Sequence, residues 1–232
     1  MSPGLVPLAA EVCLELAIGR PPADEIRRHL GYPAHAAPRE QIAGRIEAVV
    51  DEAVKALRPR GAYAVHPVTT RSPRRIVVGD VVIRGEVARF VGAVDRVGVV
   101  VATAGPGISD LAERYGRDGD SLAAWIVDAV GSWAAEAAAD AVTERLSSQA
   151  GPGEAVTLRY SPGYCGMAMT QQSVLFGLVD AEAAGLTLLP SMLMQPLKSV
   201  SGIVGIGRVE ELARAPSSPC EACHRIGCHM RR

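Results

Sequence analysis

The chain has 232 residues, of which 48% are hydrophobic and 21% charged, and a formal net charge of −1. This composition is typical of a globular protein, and the near-neutral charge argues against nucleic acid or an anionic membrane as a partner. Aromatic residues are only 4% of the total, which argues against a stacking platform for single strands. No apolar run reaches the roughly 18 residues that a membrane span needs.

Residues 1–60 are predicted to be a helical N-terminal segment. The apolar start contains Glu11 and Glu15 and lacks a basic leader, so we expect one or two short helices over residues 5–30, not a signal peptide. Five cysteines without a secretion signal favour a reducing cytoplasm. From Pro38, one apolar stripe at helical spacing predicts a further helix. The stripe consists of Ile42, Ile46, Val49, Val50, Ala53 and Leu57.

Residues 61–207 are predicted to form the core. β-Branched runs between residues 63 and 104 predict strands, and TAGPGISDLAERYG (103–116) predicts a glycine turn followed by a short helix. The longest predicted helix spans about residues 120–148, with Asp120 or Ser121 as its cap. Its predicted buried stripe consists of Leu122, Trp125, Ile126, Ala129 and Trp133.

The second half of the core is predicted to continue with a strand at AVTLRY (155–160), which has Val156, Leu158 and Tyr160 on one face. A helix from about Thr170 to Ala184 and strands at 186–194 and 200–207 follow. Because the strands come in groups, we predict an α+β fold with a mainly antiparallel twisted sheet and flanking long helices. Residues 208–232 form a cysteine-rich tail.

Two acids continue the stripe of the longest helix beyond Trp133, namely Glu136 and Asp140. A buried carboxylate needs a partner, so either these acids have one or the helix end emerges into solvent. Arg159 follows a strand and can hold a carboxylate or phosphate through two parallel hydrogen bonds. The alternative is a surface ion pair with Glu154.

The stretch RYSPGYCGMAMTQQ (159–172) surrounds a Pro-Gly turn with polar groups. Together with Arg159, the backbone of Ser161 and Gly163 and the phenol of Tyr164 would form a small polar pocket for an amino acid-like group, since glycine lets a ligand approach the main chain. A second glycine loop, TAGPGISD (103–110), is either a phosphate-binding loop or a structural turn. It lacks the third glycine of a dinucleotide fingerprint.

The tail PCEACHRIGCHMRR interleaves three cysteines with two histidines: Cys220, Cys223, His224, Cys228 and His229. Three thiolates at C-x2-C-x4-C spacing could hold zinc, with a fourth ligand from either histidine or from Cys165, or an iron–sulfur cluster. The other readings are an unligated tail and redox or corrinoid-related thiol chemistry.

The turn and the segments that follow it resemble the activation domain of vitamin B12-dependent methionine synthase. That family has an R-x-x-x-G-Y turn, a helix, and a strand ending in P-x-x-S-V-S-G. VDRVGVVVATAG (94–105) and AAEAAADAVTERL (134–146) are similar to its strand with glycine turn and its long helix, so the resemblance covers roughly residues 88–205. The matching motif residues are Arg159, Gly163, Tyr164, Pro196, Ser199, Val200, Ser201 and Gly202.

The resemblance implies a domain that binds S-adenosylmethionine in a shallow site and presents its methyl group to cobalamin held by a partner. It implies that Arg159 binds the ligand carboxylate, that Ser161 offers backbone groups and that Tyr164 closes the turn around Gly163. It also implies that Glu136 contacts the ligand. On this reading the protein is a component of a cobalamin-dependent methyltransferase in methionine biosynthesis.

The chain is too short for the homocysteine, folate and cobalamin-binding domains of methionine synthase, so we expect a stand-alone short form. Its partner would be a corrinoid-binding protein or methionine synthase subunits. One alternative is a non-catalytic module that contacts a corrinoid protein and carries a metal- or cluster-binding tail. Another is a Rossmann-type methyltransferase that uses TAGPG as its glycine loop, which requires parallel strands.

Overall fold

The computed structural model describes residues 7–33, 36–212, 215–216 and 221. In chain order its elements are β1 (Ala9–Cys13), α1 (Ala23–His29), α2 (Glu40–Ala56), β2 (Arg60–Pro67), β3 (Thr70–Ser72), β4 (Arg75–Val78), β5 (Val81–Arg84), α3 (Val87–Phe90), β6 (Arg96–Thr103), α4 (Gly107–Arg117), α5 (Ser121–Ser147), β7 (Glu154–Val156), α6 (Gln171–Phe176), β8 (Thr187–Leu188), β9 (Met194–Gln195), β10 (Ser199–Arg208) and α7 (Val209–Leu212).

The central sheet has five strands in the order β1-β2-β6-β10-β7. A three-stranded sheet, β3-β4-β5, and the pair β8-β9 accompany it. Every strand pair in the part of the chain that the structure describes is antiparallel. The α+β prediction is therefore confirmed, and the Rossmann-type reading, which requires parallel strands, is wrong.

Helix α5 lies between the central sheet and a layer formed by α1, α2 and α4. Towards its C-terminal end Ala138, Val142 and Leu146 pack on the sheet, and towards its N-terminal end Ile126 and Val130 pack among the helices. Small residues dominate its buried positions, which lets both layers approach the helix closely. The side chain of Asp120 accepts a hydrogen bond from Ala123 N–H at 2.9 Å, as the predicted cap requires.

The predicted stripe of α5 is only partly right. Ile126 and Ala129 are buried, but Trp125 is 53% exposed. The helix packs on the helical layer towards its N-terminal end and on the sheet towards its C-terminal end, and Trp125 belongs to neither buried cluster. A single-stripe pattern describes a helix packed on one side only, which is why it places this tryptophan wrongly.

The prediction of helices over residues 5–30 is wrong for its first part. Residues Ala9–Cys13 form β1, which pairs along its whole length with β2, and Cys13 is buried beneath the edge of the sheet. Strand pairing overrides the local helix preference of this alanine-rich segment. The helix predicted after Pro38 is confirmed as α2, whose apolar face packs in the same cluster as α5. The division at residues 60 and 207 stays a prediction.

The predicted strand 155–160 and the predicted helix 170–184 are both shorter in the structure. β7 ends at Val156, because Thr157 turns inward and its Oγ1 accepts a hydrogen bond from Gly205 N–H. Tyr160 rejoins the sheet through a bridge to Ile203, while Leu158 is exposed, so the predicted alternation is interrupted. Helix α6 ends at Phe176, and turns replace its second half.

None of the described helices combines the length and apolarity needed to cross a membrane.

Candidate functional site

Arg159 lies between α5 and β10 and pairs with two acids of α5. Its Nη1 lies 3.0 Å from Asp140 Oδ1, and its Nη2 pairs with Glu136 Oε2. The arginine side chain is 11% exposed, whereas those of Glu136 and Asp140 are 54% and 70% exposed. The planar fork of a guanidinium suits such two-point contact with carboxylates. The cation is therefore largely buried, and the carboxylates that neutralise it stay open to solvent.

This geometry corrects two sequence expectations. Glu136 and Asp140 do not lie on a buried face of α5, because the row they occupy emerges at its edge, and yet both have a partner in Arg159. The proposed surface pair of Arg159 with Glu154 is also wrong. Glu154 pairs instead with Arg96 at the start of β6, on the other side of β10.

Gly202 of β10 makes room for the arginine. A Cβ built at this position would lie 2.5 Å from Arg159 Cγ and 2.8 Å from Ser161 Oγ, closer than real Cβ contacts. Arg159 and Ser161 therefore lie on the α5 side of the sheet, against the backbone of Gly202. The glycine of the SVSG segment has a direct steric role at the site.

The turn after Arg159 is closed by its own hydrogen bonds. Gly163 N–H donates to Met167 O at 2.8 Å, Tyr164 N–H donates to Ser161 O at 3.2 Å, and Met167 N–H donates to Tyr164 O at 2.9 Å. Gly163 has a φ of +88°, which glycine adopts without strain. Two of the backbone groups that the sequence offered to a ligand are thus used internally. Within the described residues, Ser161 N–H and Gly163 C=O are unbonded.

Tyr160 anchors the start of this turn. Its hydroxyl donates to Cys165 O and accepts from Glu86 N–H, each at 3.0 Å, and its ring stacks on Phe90 with centroids 4.4 Å apart. Burial raises the pKa of the phenol above its usual value. The hydroxyl therefore stays protonated and keeps both roles. Because Tyr160 is fixed, it also fixes the positions of its chain neighbours Arg159 and Ser161.

The five predicted site residues are thus distributed over one small region. Arg159 and Ser161 pack on Gly202 and Glu136 pairs with Arg159, whereas Gly163 and Tyr164 lie further along the turn, with Tyr164 63% exposed. No residue of this group lines the surface cleft between the α4 turn and the β8–β9 hairpin. The shallow ligand site that the resemblance implies stays a prediction.

The other two sequence candidates have different outcomes. In TAGPGISD, Gly105 has a φ of +90°, its N–H donates to Thr103 Oγ1, and a Cβ there would lie 2.7 Å from Arg58 O. The glycine thus allows the loop to pack closely on the backbone of Arg58, which favours a structural turn over a phosphate-binding loop. Cys220, Cys223 and Cys228 lie outside the described residues, so their metal or cluster remains a prediction. Among the residues that are described, no group of three His, Cys, Asp or Glu could hold a metal.

Sequence reasoning missed a second polar group on the same edge of α5 as Arg159. Asp128 and Ser132 precede Glu136 on α5 at four-residue spacing, and Lys198 contacts both, with Nζ 2.6 Å from Asp128 Oδ1 and 2.9 Å from Ser132 Oγ. The repeated interval 128-132-136-140 was the available signal, because residues four apart share one side of a helix.

The structure is an antiparallel α+β domain in which a largely buried arginine lies between a turn and an acidic helix edge. The sequence model of the family described as "Vitamin B12 dependent methionine synthase, activation domain" matches residues 80–209, more than half of the chain. The protein belongs to this family.

A solved structure supports the fold. The chain is similar to the structure titled "Crystal Structure of the MetH Reactivation Domain bound to AdoHcy", with a TM-score of 0.61 and 17% sequence identity. The similarity covers 86% of this chain and 78% of the other. No curated protein sequence matches the chain significantly.

Proposed function

We propose that the protein binds S-adenosylmethionine at the Arg159 site and supports reductive methylation of cobalamin held by a partner. The observation that carries the proposal is the placement of Arg159 over Gly202, with Glu136 and Asp140 around its fork, inside the region that matches the family. The AdoHcy in the similar MetH domain gives the ligand class, since AdoHcy is what S-adenosylmethionine becomes after losing its methyl group.

The free site already contains the contacts that the ligand would replace. The ligand carboxylate would take the place of Glu136 or Asp140 on the Arg159 fork, and the freed acid would then accept from the ligand ammonium. The exchange keeps Arg159 paired, so its burial costs nothing further on binding. Ser161 N–H and Gly163 C=O are available for additional hydrogen bonds.

The chain's own residues position the ligand, and the partner's cobalamin supplies the nucleophile that receives the methyl group. The side chains of Glu136 and Asp140 are exposed, so one side of the bound ligand would stay open, which such a transfer between proteins requires. We propose a corrinoid-binding protein or methionine synthase subunits as the partner and the cytoplasm as the location. The activity would then belong to methionine biosynthesis.

Isothermal titration with S-adenosylmethionine and S-adenosylhomocysteine tests the proposal. We expect the parent to bind both, and Arg159→Ala to bind each at least about tenfold more weakly, because a charge-assisted contact is lost. Arg71→Ala, which removes the exposed pair with Asp95, is the matched control and should bind as the parent does. Absence of binding to the parent at millimolar ligand would refute the proposal, as would full affinity in a folded Arg159→Ala.

A further inference from the structure

A second cation lies on the same edge of α5 as Arg159. Lys198, just before β10, has Nζ 2.6 Å from Asp128 Oδ1 and donates to Ser132 Oγ at 2.9 Å. The lysine side chain is 17% exposed and that of Asp128 is 54% exposed. An ammonium has three donors, so one remains, and Asp128 Oδ2 accepts no hydrogen bond from the described residues. We call Asp128, Ser132 and Lys198 the Lys198 cluster.

The Lys198 cluster and the Arg159 site are built alike. In each, two α5 residues four apart receive a cation from the β10 side, and a glycine lies under the aliphatic stem of that cation. A Cβ at Gly131 would lie 2.9 Å from Lys198 Cγ, as one at Gly202 would lie 2.5 Å from Arg159 Cγ. A side chain at either glycine would therefore displace the cation from the edge of the helix.

The distance between the two groups follows from the geometry of the elements. Eight residues of α5 separate Asp128 from Glu136, a rise of about 12 Å. Four residues of extended chain separate Lys198 from Gly202, a rise of about 13 Å. The two estimates agree because helix and strand run beside each other here. The spacing is comparable with that between the carboxylate and the ribose hydroxyls of an extended S-adenosylmethionine.

The edge of β10 between the two groups has unpaired backbone groups. Ile203 exchanges backbone hydrogen bonds with Tyr160, and Ser201 is the next residue whose backbone faces this edge. The residue opposite Ser201 is Pro162. Proline has no N–H to donate, so the backbone pairing ends at this position. Within the described part of the chain, Ser201 N–H and C=O have no partner at this edge although the residue is only 3% exposed. Unpaired backbone groups in such a place favour a ligand beside them.

We propose that the Lys198 cluster holds the nucleoside half of the ligand whose amino acid half Arg159 holds; the inference rests on the proposed function. The free oxygen of Asp128 would accept from the ribose hydroxyls, as acidic residues do in other nucleotide sites. The free donor of Lys198 would reach a ribose oxygen or a ring nitrogen. Three acids face two cations along this edge, and the net charge of −1 complements the sulfonium between the two halves.

Amide chemical-shift titrations with the two halves of the ligand test the inference on the whole chain. Millimolar 5′-methylthioadenosine should shift amides around Ser132 and Lys198, and millimolar L-methionine should shift those around Arg159. Asp128→Asn and Lys198→Met should weaken binding of S-adenosylmethionine and of 5′-methylthioadenosine about tenfold and leave L-methionine within about twofold. Methionine keeps the apolar stem that rests on Gly131, so Lys198→Met should fold.

The controls separate this inference from the proposed function. Asp95→Asn alters an exposed acid of another ion pair and should change no affinity. Parental binding of S-adenosylmethionine with unchanged affinity in both Asp128→Asn and Lys198→Met overturns the inference and leaves the proposed function intact. Shifts from 5′-methylthioadenosine confined to the Arg159 turn overturn it as well. A parent that binds neither S-adenosylmethionine nor S-adenosylhomocysteine removes the proposed function and, with it, this inference.

Discussion

The side chain of Arg159 crosses β10 directly over Gly202. A Cβ at position 202 would come within 2.5 Å of Arg159 Cγ and 3.0 Å of its Cδ. The guanidinium reaches Glu136 and Asp140 because the strand beneath it has no side chain at this point. The position of the fork is therefore set by a residue that makes no polar contact with it.

We expect Gly202→Ala to displace Arg159 and lower the affinity for S-adenosylmethionine about tenfold or more. Overpacking of this kind should also reduce the free energy of unfolding by about 1–3 kcal/mol. Titration calorimetry and urea unfolding measure the two effects. Gly44→Ala is the control, because a Cβ there meets nothing within 4 Å on an exposed part of α2, and it should stabilise the protein slightly. Parental affinity in Gly202→Ala would contradict the role given to this glycine.

Arg159→Lys should keep the charge and lose the fork. A lysine ammonium cannot present two parallel donors to a carboxylate, so we expect binding about tenfold weaker than in the parent. The free energy of unfolding of the variant should be close to that of the parent, since the apolar stem of lysine still covers Gly202. Calorimetry on Arg159→Lys beside Arg159→Ala separates charge from geometry. Equal affinities of Arg159→Lys and the parent would show that the fork is not used.

Tyr160→Phe should destabilise the fold by about 1–3 kcal/mol, because Glu86 N–H and Cys165 C=O lose their common partner in a buried place. The stacking on Phe90 survives the substitution. Urea unfolding gives the change, and we expect a smaller loss of ligand affinity as the turn loosens. An unchanged free energy of unfolding would mean that water replaces the hydroxyl.

His66 should make stability depend on pH. The residue is 1% exposed, its Nε2 lies 2.7 Å from Leu178 O, and its Nδ1 has no hydrogen-bond partner in the described structure. Burial lowers its pKa, an effect that the contact with Leu178 partly offsets. The unfolded chain, with a pKa of about 6.5, therefore takes up the proton first. The free energy of unfolding should decrease as the pH falls from about 6.5 to the folded pKa and change no further below it.

Urea unfolding of the parent and of His66→Gln across this range isolates the effect, because glutamine can donate to Leu178 O without titrating. We expect the difference in stability between the two proteins to fall with decreasing pH. A constant difference would show that protonation of His66 is not linked to unfolding.

The sequence was most informative for features that depend only on residues close together in the chain. The cap at Asp120, the apolar face of α2 and the glycine turn at Gly105 were all predictable, because each depends on neighbours in the chain. β1 and the break at Thr157 were not, because β2 supplies the pairing in the first case and Gly205 the hydrogen bond in the second. Trp125 was wrongly predicted to be buried, because its exposure depends on which other elements pack against α5.

At the site, the residue pattern alone was enough to recognise the family, the arginine turn and the unusual acids at positions 136 and 140. The folded structure was needed to show that these acids are exposed, that Arg159 pairs with both, and that Lys198 forms a similar contact about two turns of α5 away. The reason is that contacts between residues 19 to 70 positions apart exist only once the sheet brings β10 beside the helix. Spacing along one helix can be read from the chain, whereas the partner that faces it cannot.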